Sequence, residues 1–444
     1  MEGQHQQRKA EGSQKQQDED GNNRCPDCGK EFASLNSWCR ACSINQLRQQ
    51  FINWTSGNKL IDELIQETQL TATSSCNYLE WIPFENIELR QFKSEGGYSA
   101  IYSAVWLEGP KWIYDEASED YTRTGPTKVA LKRFNNLNSI TVEFINQVKK
   151  YLNCLQCGSL ADCFGITKDS TSCYMFVMKY YENGNLYQYL NYVKGVISWR
   201  DMIDMLWDIS CGLEKIHSQD LFHGNLHGGN LLIEEENVST DAKLADVGFY
   251  GPVSNDLSFK RKDNKIYGVL PFVAPEILML SSNTSTKFPS SDDYDYNDQD
   301  YCYFRRKSDI YSFGITMWTL ASGVKPWCDR AHDEQLAIDI CKGLRPEGIR
   351  DMPKYYKDLM ERCWHSSPDQ RPTARELTKI FSDWIYDMCD NPNETDISID
   401  FSKAEDERWK LISRQHNKSY TPPKQHPQAF YTSREFYFPN LTNQ

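Results

Sequence analysis

"HGNLHGGN", residues 223–230, is the stretch from which the fold can be inferred. A histidine opens it and an asparagine closes it, and a second asparagine, Asn225, stands five positions before Asn230. The apolar residues of "SWRDMIDMLWDISCGLEKIHSQ" before it follow a helical period, and the apolar run "LLI" comes directly after it. The spacing and the setting of the two asparagines make them the first candidates for functional residues.

Composition limits the class of protein. Of 444 residues, 39% are hydrophobic and 13% aromatic, which is enough for a large buried core and excludes a wholly disordered chain. The net charge of −13 argues against broad binding to nucleic acid or to anionic membranes. We therefore expect a globular protein whose partners are proteins or small molecules.

The expected compartment follows from what the sequence lacks. It has no apolar run of the roughly 18 residues that a membrane span needs. The first twenty residues contain no apolar segment of the kind found in secretory signals. The fifteen cysteines are therefore expected to be reduced thiols or metal ligands, and the protein to be cytoplasmic, with the nucleus as the alternative.

The pattern of the chain changes several times along its length. Residues 80–182 contain short alternating runs such as "SAIYSAVW" and "TKVALKRF", whereas residues 183–388 contain long helical patterns. Strands followed by helices predict an α+β protein with two unequal lobes. Around them we predict a disordered segment 1–23, a cysteine module 24–43, a helical linker 44–79 and a polar tail 389–444.

Six further motifs accompany the 223–230 loop in a fixed order: "VALK", "MKYYENGNL", "ADVG", "LPFVAPEIL", "SDIYSFG" and "CWHSSPDQRP". Together they resemble a eukaryotic protein kinase domain over residues 80–388. "DIYSFG" and the spacing in "CWHSSPDQRP" are similar to the tyrosine-kinase-like branch of Ser/Thr kinases. The segments "WCRACSINQLRQQFINWTSGNKLID" and "HPQAFYTSREF" are similar to those of large fungal families in that branch.

This resemblance implies a bilobal kinase fold, with a β-rich N-lobe and a helical C-lobe that hold ATP and Mg²⁺ between them. It assigns a phosphate-binding lysine to "VALK", a gatekeeper and hinge to "MKYYENGNL", and an ion pair between Glu276 and Arg371. The nucleotide-binding positions are then Gly96, Ile101, Ala130, Lys132, Met178, Tyr181, Leu232 and Asp246, and the Mg²⁺ ligands are Asn230 and Asp246.

The 223–230 loop departs from the family pattern at the residues that carry chemistry. Asn225 occupies the position of the catalytic base, and an amide cannot take up a proton. Gly224 replaces an arginine that contacts activation-loop phosphate, and His227 replaces a phosphate-contacting lysine. General-base catalysis typically contributes about 10²–10⁴ in rate, so we expect efficient phosphate transfer to be lost.

The surroundings of Lys132 depart from the pattern as well. Where the family's αC helix offers a glutamate, "EFINQVKKYL" offers Gln147, with Glu143 one turn earlier as the alternative partner. The glycine-rich loop keeps Gly96 but has Ser94 and Ser99 at the outer glycine positions. Because glycine lets the backbone approach phosphate closely, we expect a weaker grip on the nucleotide.

Three functions remain open at this point. The first is a pseudokinase that binds ATP and acts as a scaffold or allosteric partner of other signalling proteins, one candidate being an active kinase. The second is an active Ser/Thr protein kinase that transfers the γ-phosphate of ATP to protein substrates. The third is a nucleotide-gated binding module without turnover.

The cysteine module has the spacing C-x₂-C-x₁₀-C-x₂-C, formed by Cys25, Cys28, Cys39 and Cys42. Two closely spaced pairs of thiolates can complete a tetrahedral Zn²⁺ site, and a segment this short needs the metal in order to fold. We therefore predict a zinc-ribbon-like module that docks partners. The alternatives are free cysteines in a disordered arm and a redox disulfide pair.

Overall fold

The computed structural model describes residues 24–25, 28–30, 38–75, 77–95, 99–115, 120–134, 140–155, 158–194, 196–235, 239–247, 266–279, 298–349, 352–389, 394–416, 424–438 and 441. Two predictions from the sequence lie outside these residues: the disordered segment 1–23 and the phosphate contact of Gly96.

The N-lobe is built on a six-stranded sheet. Its strands are β1 (Glu80–Trp81), β2 (Ile87–Glu95), β3 (Ser99–Trp106), β6 (Thr127–Phe134), β7 (Cys163–Lys168) and β8 (Tyr174–Lys179), and β4 (Ile113–Asp115) and β5 (Asp120–Thr122) form a separate hairpin. The order across the sheet is β1-β7-β8-β6-β3-β2, and all pairs except β1 with β7 are antiparallel. Helix α3 (Val142–Leu155) connects β6 to β7.

Alternation along β6 explains how the sheet presents one polar group to the cleft. Val129 and Leu131 are fully buried and pack in one apolar cluster with Trp106. Successive side chains of a strand point to opposite faces. Ala130 and Lys132 therefore share the other face, as predicted, and Ala130 packs against the larger core cluster.

The C-lobe is helical, as expected from the sequence. Its helices are α4 (Leu186–Tyr192), α5 (Trp199–Ser218), α6 (Pro275–Met279), α7 (Asp298–Ser322), α8 (Glu334–Cys341), α9 (Lys354–Cys363), α10 (Ala374–Cys389) and α11 (Asp396–His416). Its strands are β9 (Leu231–Glu235), β10 (Thr240–Leu244), β11 (Ile266–Gly268) and β12 (Arg434–Phe436). The bilobal α+β architecture is thus confirmed.

Helix α5 begins at a side-chain cap and forms the centre of the C-lobe. The side chain of Ser198 accepts a hydrogen bond from the backbone N–H of Asp201, which satisfies one of the free donors of the first turn. Met202, Met205 and Ile209 follow the helical period and are almost completely buried. The apolar face holds α5 in the core, and the chain then continues into the 223–230 loop.

Within the described residues, two helices precede the kinase-like region, α1 (Arg40–Gln50) and α2 (Lys59–Thr71). Asn58 caps α2 by accepting hydrogen bonds from the first backbone N–H groups. Ile61, Leu64 and Ile65 are buried in the main core cluster, and Glu67 forms an ion pair with Lys149 of α3. The predicted helical linker is therefore packed onto the N-lobe.

The region after residue 389, which the sequence marks only as a polar tail, contains structure that packs on the C-lobe. Phe401 of α11 is 1% exposed and packs edge-on against Trp199. The guanidinium of Arg408 donates to the carbonyls of Ile197 and Ala321, at 3.0 and 2.7 Å. These buried contacts anchor α11, and residues 424–438 then return towards the 223–230 loop.

Among the described residues, no helix combines the length and the apolar character that crossing a bilayer requires.

Candidate active site

The backbone of the 223–230 loop is held by one buried carboxylate, Asp309 on α7. Its two oxygens accept hydrogen bonds from the backbone N–H groups of His223 and Gly224, both at 2.7 Å, and one of them lies 2.9 Å from Nε2 of His217. Burial opposes ionisation of Asp309, but the hydrogen bond and charge of His217 outweigh it and keep the pKa below its ordinary value. The loop is thus anchored to a helix through its main chain.

The side chain of His223 ties the loop to the strand ahead of Asp246. Its Nδ1 accepts the backbone N–H of Asn225, at 3.3 Å, so Nε2 carries the hydrogen and donates to the carbonyl of Ala245, at 3.0 Å. His223 is fully buried, and burial lowers its pKa, which favours this neutral form. Nδ2 of Asn230 donates to the carbonyl of Asn225, at 3.0 Å, and closes the loop.

Lys132 and Asp246, predicted to bind phosphate and Mg²⁺, come together as an ion pair across the two lobes. The Lys132 side chain is only 3% exposed, whereas that of Asp246 is 32% exposed. Burial raises the pKa of Asp246, but the charge and hydrogen bond of Lys132 outweigh it and hold the pKa below its ordinary value. Asp246 has a φ of +65°, a left-handed conformation that is uncommon outside glycine and asparagine and occurs at functional sites.

The residues predicted to contact adenine lie on neighbouring strands. Ile101 of β3 pairs with Lys132 of β6, and Ala130 of β6 pairs with Met178 of β8. Met178 is buried, as a gatekeeper would be. Leu232 lies on β9 of the C-lobe and packs on the main core. The sheet therefore brings four of these side chains close together, those of Ile101, Lys132, Ala130 and Met178.

Several polar groups of the hinge segment after β8 already form hydrogen bonds within the protein. The backbone N–H of Lys179 donates to the carbonyl of Asp162, and that of Gly184 donates to the carbonyl of Tyr181, both at 3.0 Å. The phenol oxygen of Tyr181 accepts the backbone N–H of Asp162, at 3.3 Å. These contacts rigidify the connection between the lobes.

Gln147 lies on α3, as the sequence places it, and its side chain is half-buried. The side chain of Glu143, the alternative partner of Lys132, lies outside the described part of the structure. Which residue of α3 supports Lys132 therefore stays a prediction.

The predicted ion pair between Glu276 and Arg371 is present. Both guanidinium nitrogens of Arg371 reach the carboxylate of Glu276, at 2.7 and 2.8 Å. Arg371 is 2% exposed and also donates to the carbonyls of His365 and Lys307. A bidentate pair with all its donors satisfied is a stable element of the C-lobe.

The sequence analysis missed Ser433. Its hydroxyl oxygen lies 2.9 Å from Nδ2 of Asn225 and 3.0 Å from Nε2 of His227. Burial lowers the pKa of His227 to about 3, so this ring is neutral. No periodic pattern in the sequence marks this position, because Ala429, Phe430 and Tyr431 are consecutive apolar residues and only the first and third are buried.

The four cysteines of the N-terminal module form one cluster, in which all the sulfur atoms lie within 4.8 Å of one another. Sγ of Cys25 and Cys42 are 3.8 Å apart, and Sγ of Cys28 and Cys39 are 3.5 Å apart. Tetrahedral zinc with Zn–S bonds of about 2.3 Å requires sulfur separations of about 3.8 Å. The donor set and its spacing therefore fit this metal.

Comparison with known proteins agrees with the geometry. The family described as protein tyrosine and serine/threonine kinase matches residues 87–381. The chain is 26% identical over 329 residues to a serine/threonine-protein kinase/receptor of Acanthamoeba polyphaga mimivirus, covering 72% of this chain and 18% of that protein. It is 25% identical over 319 residues to mitogen-activated protein kinase kinase kinase 7 of Bos taurus (70% and 46%).

A third relative is the serine/threonine-protein kinase STY17 of Arabidopsis thaliana, 24% identical over 220 residues (50% of this chain, 34% of that protein). The chain spans less than half the length of each of these three relatives. Since the family match covers more than half of the chain, this protein belongs to the protein tyrosine and serine/threonine kinase family.

Proposed function

We propose that this protein is an ATP-binding kinase homologue that acts mainly as a signalling scaffold or allosteric pseudokinase. The observation that carries this proposal is the side chain of Asn225 at the base position, in a loop whose backbone is held by Asp309 and by Asn230. An amide cannot accept the proton of a substrate hydroxyl, and losing a general base costs about 10²–10⁴ in rate. Partners would be other signalling proteins, one candidate being an active kinase.

Nucleotide binding is supported by the residues that are kept. Membership of the kinase family implies the use of ATP and Mg²⁺. Lys132 would bind the α and β phosphates in place of Asp246, and Asn230 and Asp246 would then hold Mg²⁺. Ala130 and Met178 would border the adenine ring. Bound Mg–ATP would replace the negative charge that Asp246 now supplies to the buried ammonium of Lys132.

The second candidate is an active Ser/Thr kinase. Phosphoryl transfer depends mainly on positioning and on the electrostatics of the metal ions, so a chain that keeps Lys132, Asn230 and Asp246 can retain a rate without the base. The names of two of the relatives, the serine/threonine-protein kinase/receptor and the serine/threonine-protein kinase STY17, favour this substrate class. Assignment to the tyrosine-kinase-like branch rests on "DIYSFG" and on "CWHSSPDQRP".

Thermal unfolding of the full chain with and without Mg–ATP tests nucleotide binding. At a ligand concentration of a hundred times Kd, binding stabilises the fold by about 2.7 kcal/mol, so we expect a clear rise in Tm. Lys132→Ala should abolish this rise. Lys128→Ala is the matched control, because Lys128 is a solvent-exposed lysine on the same strand that pairs with Glu182. Equal Tm values with and without millimolar Mg–ATP would refute the ATP assignment.

The cysteine cluster is proposed to hold structural zinc and to dock a partner rather than to catalyse. The proposal is supported by four sulfur atoms that lie close enough together to bind one metal ion tetrahedrally. The metal would hold the segment around residues 25–42 folded, since a chain this short buries too little apolar surface on its own. Elemental analysis of the purified full chain should find one zinc per chain, lost in a Cys25→Ser, Cys28→Ser double variant. A metal-free wild-type protein would contradict the proposal.

A further inference from the structure

The C-terminal segment 424–438 lies along the catalytic side of the C-lobe. Its strand β12 pairs in an antiparallel arrangement with β11, so that Arg434 lies opposite Gly268. In the chain, β11 follows the "ADVG" motif that contains Asp246. An ideal Cβ on Gly268 of this strand would lie 3.7 Å from Oδ1 of Asn225. Adding a strand to an exposed edge is a common way for a domain to bind an extended peptide. This domain receives such a strand from its own chain.

Ser433, the residue just before β12, points at the base position. Its hydroxyl oxygen is 2.9 Å from Nδ2 and 3.2 Å from Oδ1 of Asn225, and 3.0 Å from Nε2 of His227. In a working kinase the residue at the base position contacts the hydroxyl of the substrate. Ser433 therefore stands where a phosphoacceptor hydroxyl would be.

The hydrogen-bond directions show that this hydroxyl is held but not activated. The backbone N–H of Gly229 donates to Nδ1 of His227, at 3.0 Å, so the hydrogen of this ring is on Nε2 and is donated to Ser433. Nδ2 of Asn225 donates to the same oxygen. The proton of Ser433 faces an amide oxygen, Oδ1 of Asn225, which does not take up protons. Ser433 thus accepts hydrogen bonds from both neighbours and donates one to Asn225, and neither neighbour removes its proton.

Contacts on both sides of Ser433 make the docking specific. The buried ring of Tyr431 packs edge-on against Tyr187 and His332, and its hydroxyl donates to the carbonyl of Pro326, at 2.8 Å. The guanidinium of Arg434 donates to the carbonyl of His332, at 2.8 Å. A buried aromatic anchor next to a cationic one is typical of the residues that dominate binding energy at interfaces.

We propose that residues 424–438 are an internal ligand of the catalytic loop, which places Ser433 in the phosphoacceptor position and closes the peptide-binding side of the cleft to other chains. This inference rests on the kinase fold and on these contacts, and it does not depend on nucleotide binding or phosphate transfer. An extended peptide with a hydroxyl residue would compete for the same place. Access for such a peptide requires release of the segment.

Hydrogen exchange of the full chain without nucleotide tests the docking. Removing the Ser433 hydroxyl leaves the donors of Asn225 and His227 without their acceptor, so Ser433→Ala should speed exchange at residues 266–268 and 434–436 about tenfold. Thr432→Ala is the matched control, because Thr432 is the adjacent hydroxyl residue and is exposed. Exchange in α5 should be unchanged in both variants. Equal exchange in the two variants would overturn the proposal.

A double-mutant cycle identifies the contact itself. Asn225→Ala should reproduce the faster exchange of Ser433→Ala, and the double variant should be less affected than the product of the two single effects. Independent, fully multiplicative effects would show that the two side chains are not coupled, which contradicts the proposed position of Ser433.

A fluorescent peptide of residues 424–438 tests occupancy. Tyr431→Ala should weaken the binding of the internal segment to the C-lobe. Because the internal segment competes at a high effective concentration, the added peptide should bind this variant about tenfold more tightly than wild type. The same peptide with alanine in place of Ser433 should bind more weakly. Equal binding to both proteins would refute internal occupancy. So would a wild-type dimer that dissociates on Ser433→Ala, because the segment would then come from a second copy.

Discussion

The two sides of the 223–230 loop differ in the kind of contact that holds them. On the inner side, the backbone N–H groups of His223 and Gly224 are held by the carboxylate of Asp309. On the outer side, the side chains of Asn225 and His227 are bound to the hydroxyl of Ser433. The inner contacts use main-chain donors that any residue supplies, whereas the outer ones depend on side-chain identity. A kinase fold can therefore keep its loop geometry while the chemical groups on that loop change.

The largest effect is expected on the inner side. Asp309→Ala leaves the buried backbone N–H of His223, the half-buried N–H of Gly224 and the side chain of His217 without their partner, and removing one member of a buried charged network costs about 3–5 kcal/mol. Urea unfolding of the full chain should show this loss. Asp220→Ala is the control, since the Asp220 side chain is 88% exposed and its ion pair with Arg306 should contribute at most about 1 kcal/mol. Equal losses in the two variants would contradict the anchoring role of Asp309.

The same carboxylate predicts a pH dependence. The pKa of Asp309 is below its ordinary value in the folded protein, so its stabilising contribution is complete above the unfolded pKa of about 3.9 and is lost as the pH falls further, through the folded pKa. The difference in unfolding free energy between wild type and Asp309→Ala should therefore become smaller as the pH falls below about 4.

A smaller effect is expected on the outer side. Asn225→Asp is introduced into the Tyr431→Ala variant, so that segment 424–438 no longer closes the cleft. It restores a proton acceptor without changing the size of the side chain, so the phosphotransfer rate towards a generic protein substrate should rise about 10²-fold over that of Tyr431→Ala alone. This corresponds to about 2.7 kcal/mol in the barrier. Asn191→Asp on α4, a solvent-exposed asparagine, serves as the control in the same background. A measurable rate of Tyr431→Ala that equals that of the double variant would favour the active-kinase alternative.

Much of the fold was predictable because its signals are local. The alternation in β6 and the helical period in α5 indicate which face of each element is buried, and burial follows these patterns. The motifs around Lys132 and Asp246 placed both residues in one cleft before their ion pair was seen. The ion pair of Arg371 with Glu276 was also predicted from the motifs and is confirmed.

The C-terminal region shows where local signals were insufficient. The composition of residues 389–444 is polar and contains several prolines, which is typical of a tail. Yet Phe401, Arg408 and Tyr431 are buried against the C-lobe. A few well-placed anchors hold such a segment, and their spacing is too irregular for a periodic pattern to reveal them.

The amino-acid sequence alone specifies which chemical groups this protein has: an amide in place of the base, a lysine and an aspartate in kinase-like motifs, and two pairs of closely spaced cysteines. Only the tertiary structure decided what these groups contact. Asn225 and Ser433 are 208 positions apart, and His223 and Asp309 are 86 apart. Residue type and spacing are local properties, whereas such contacts form only when distant elements pack around a common core.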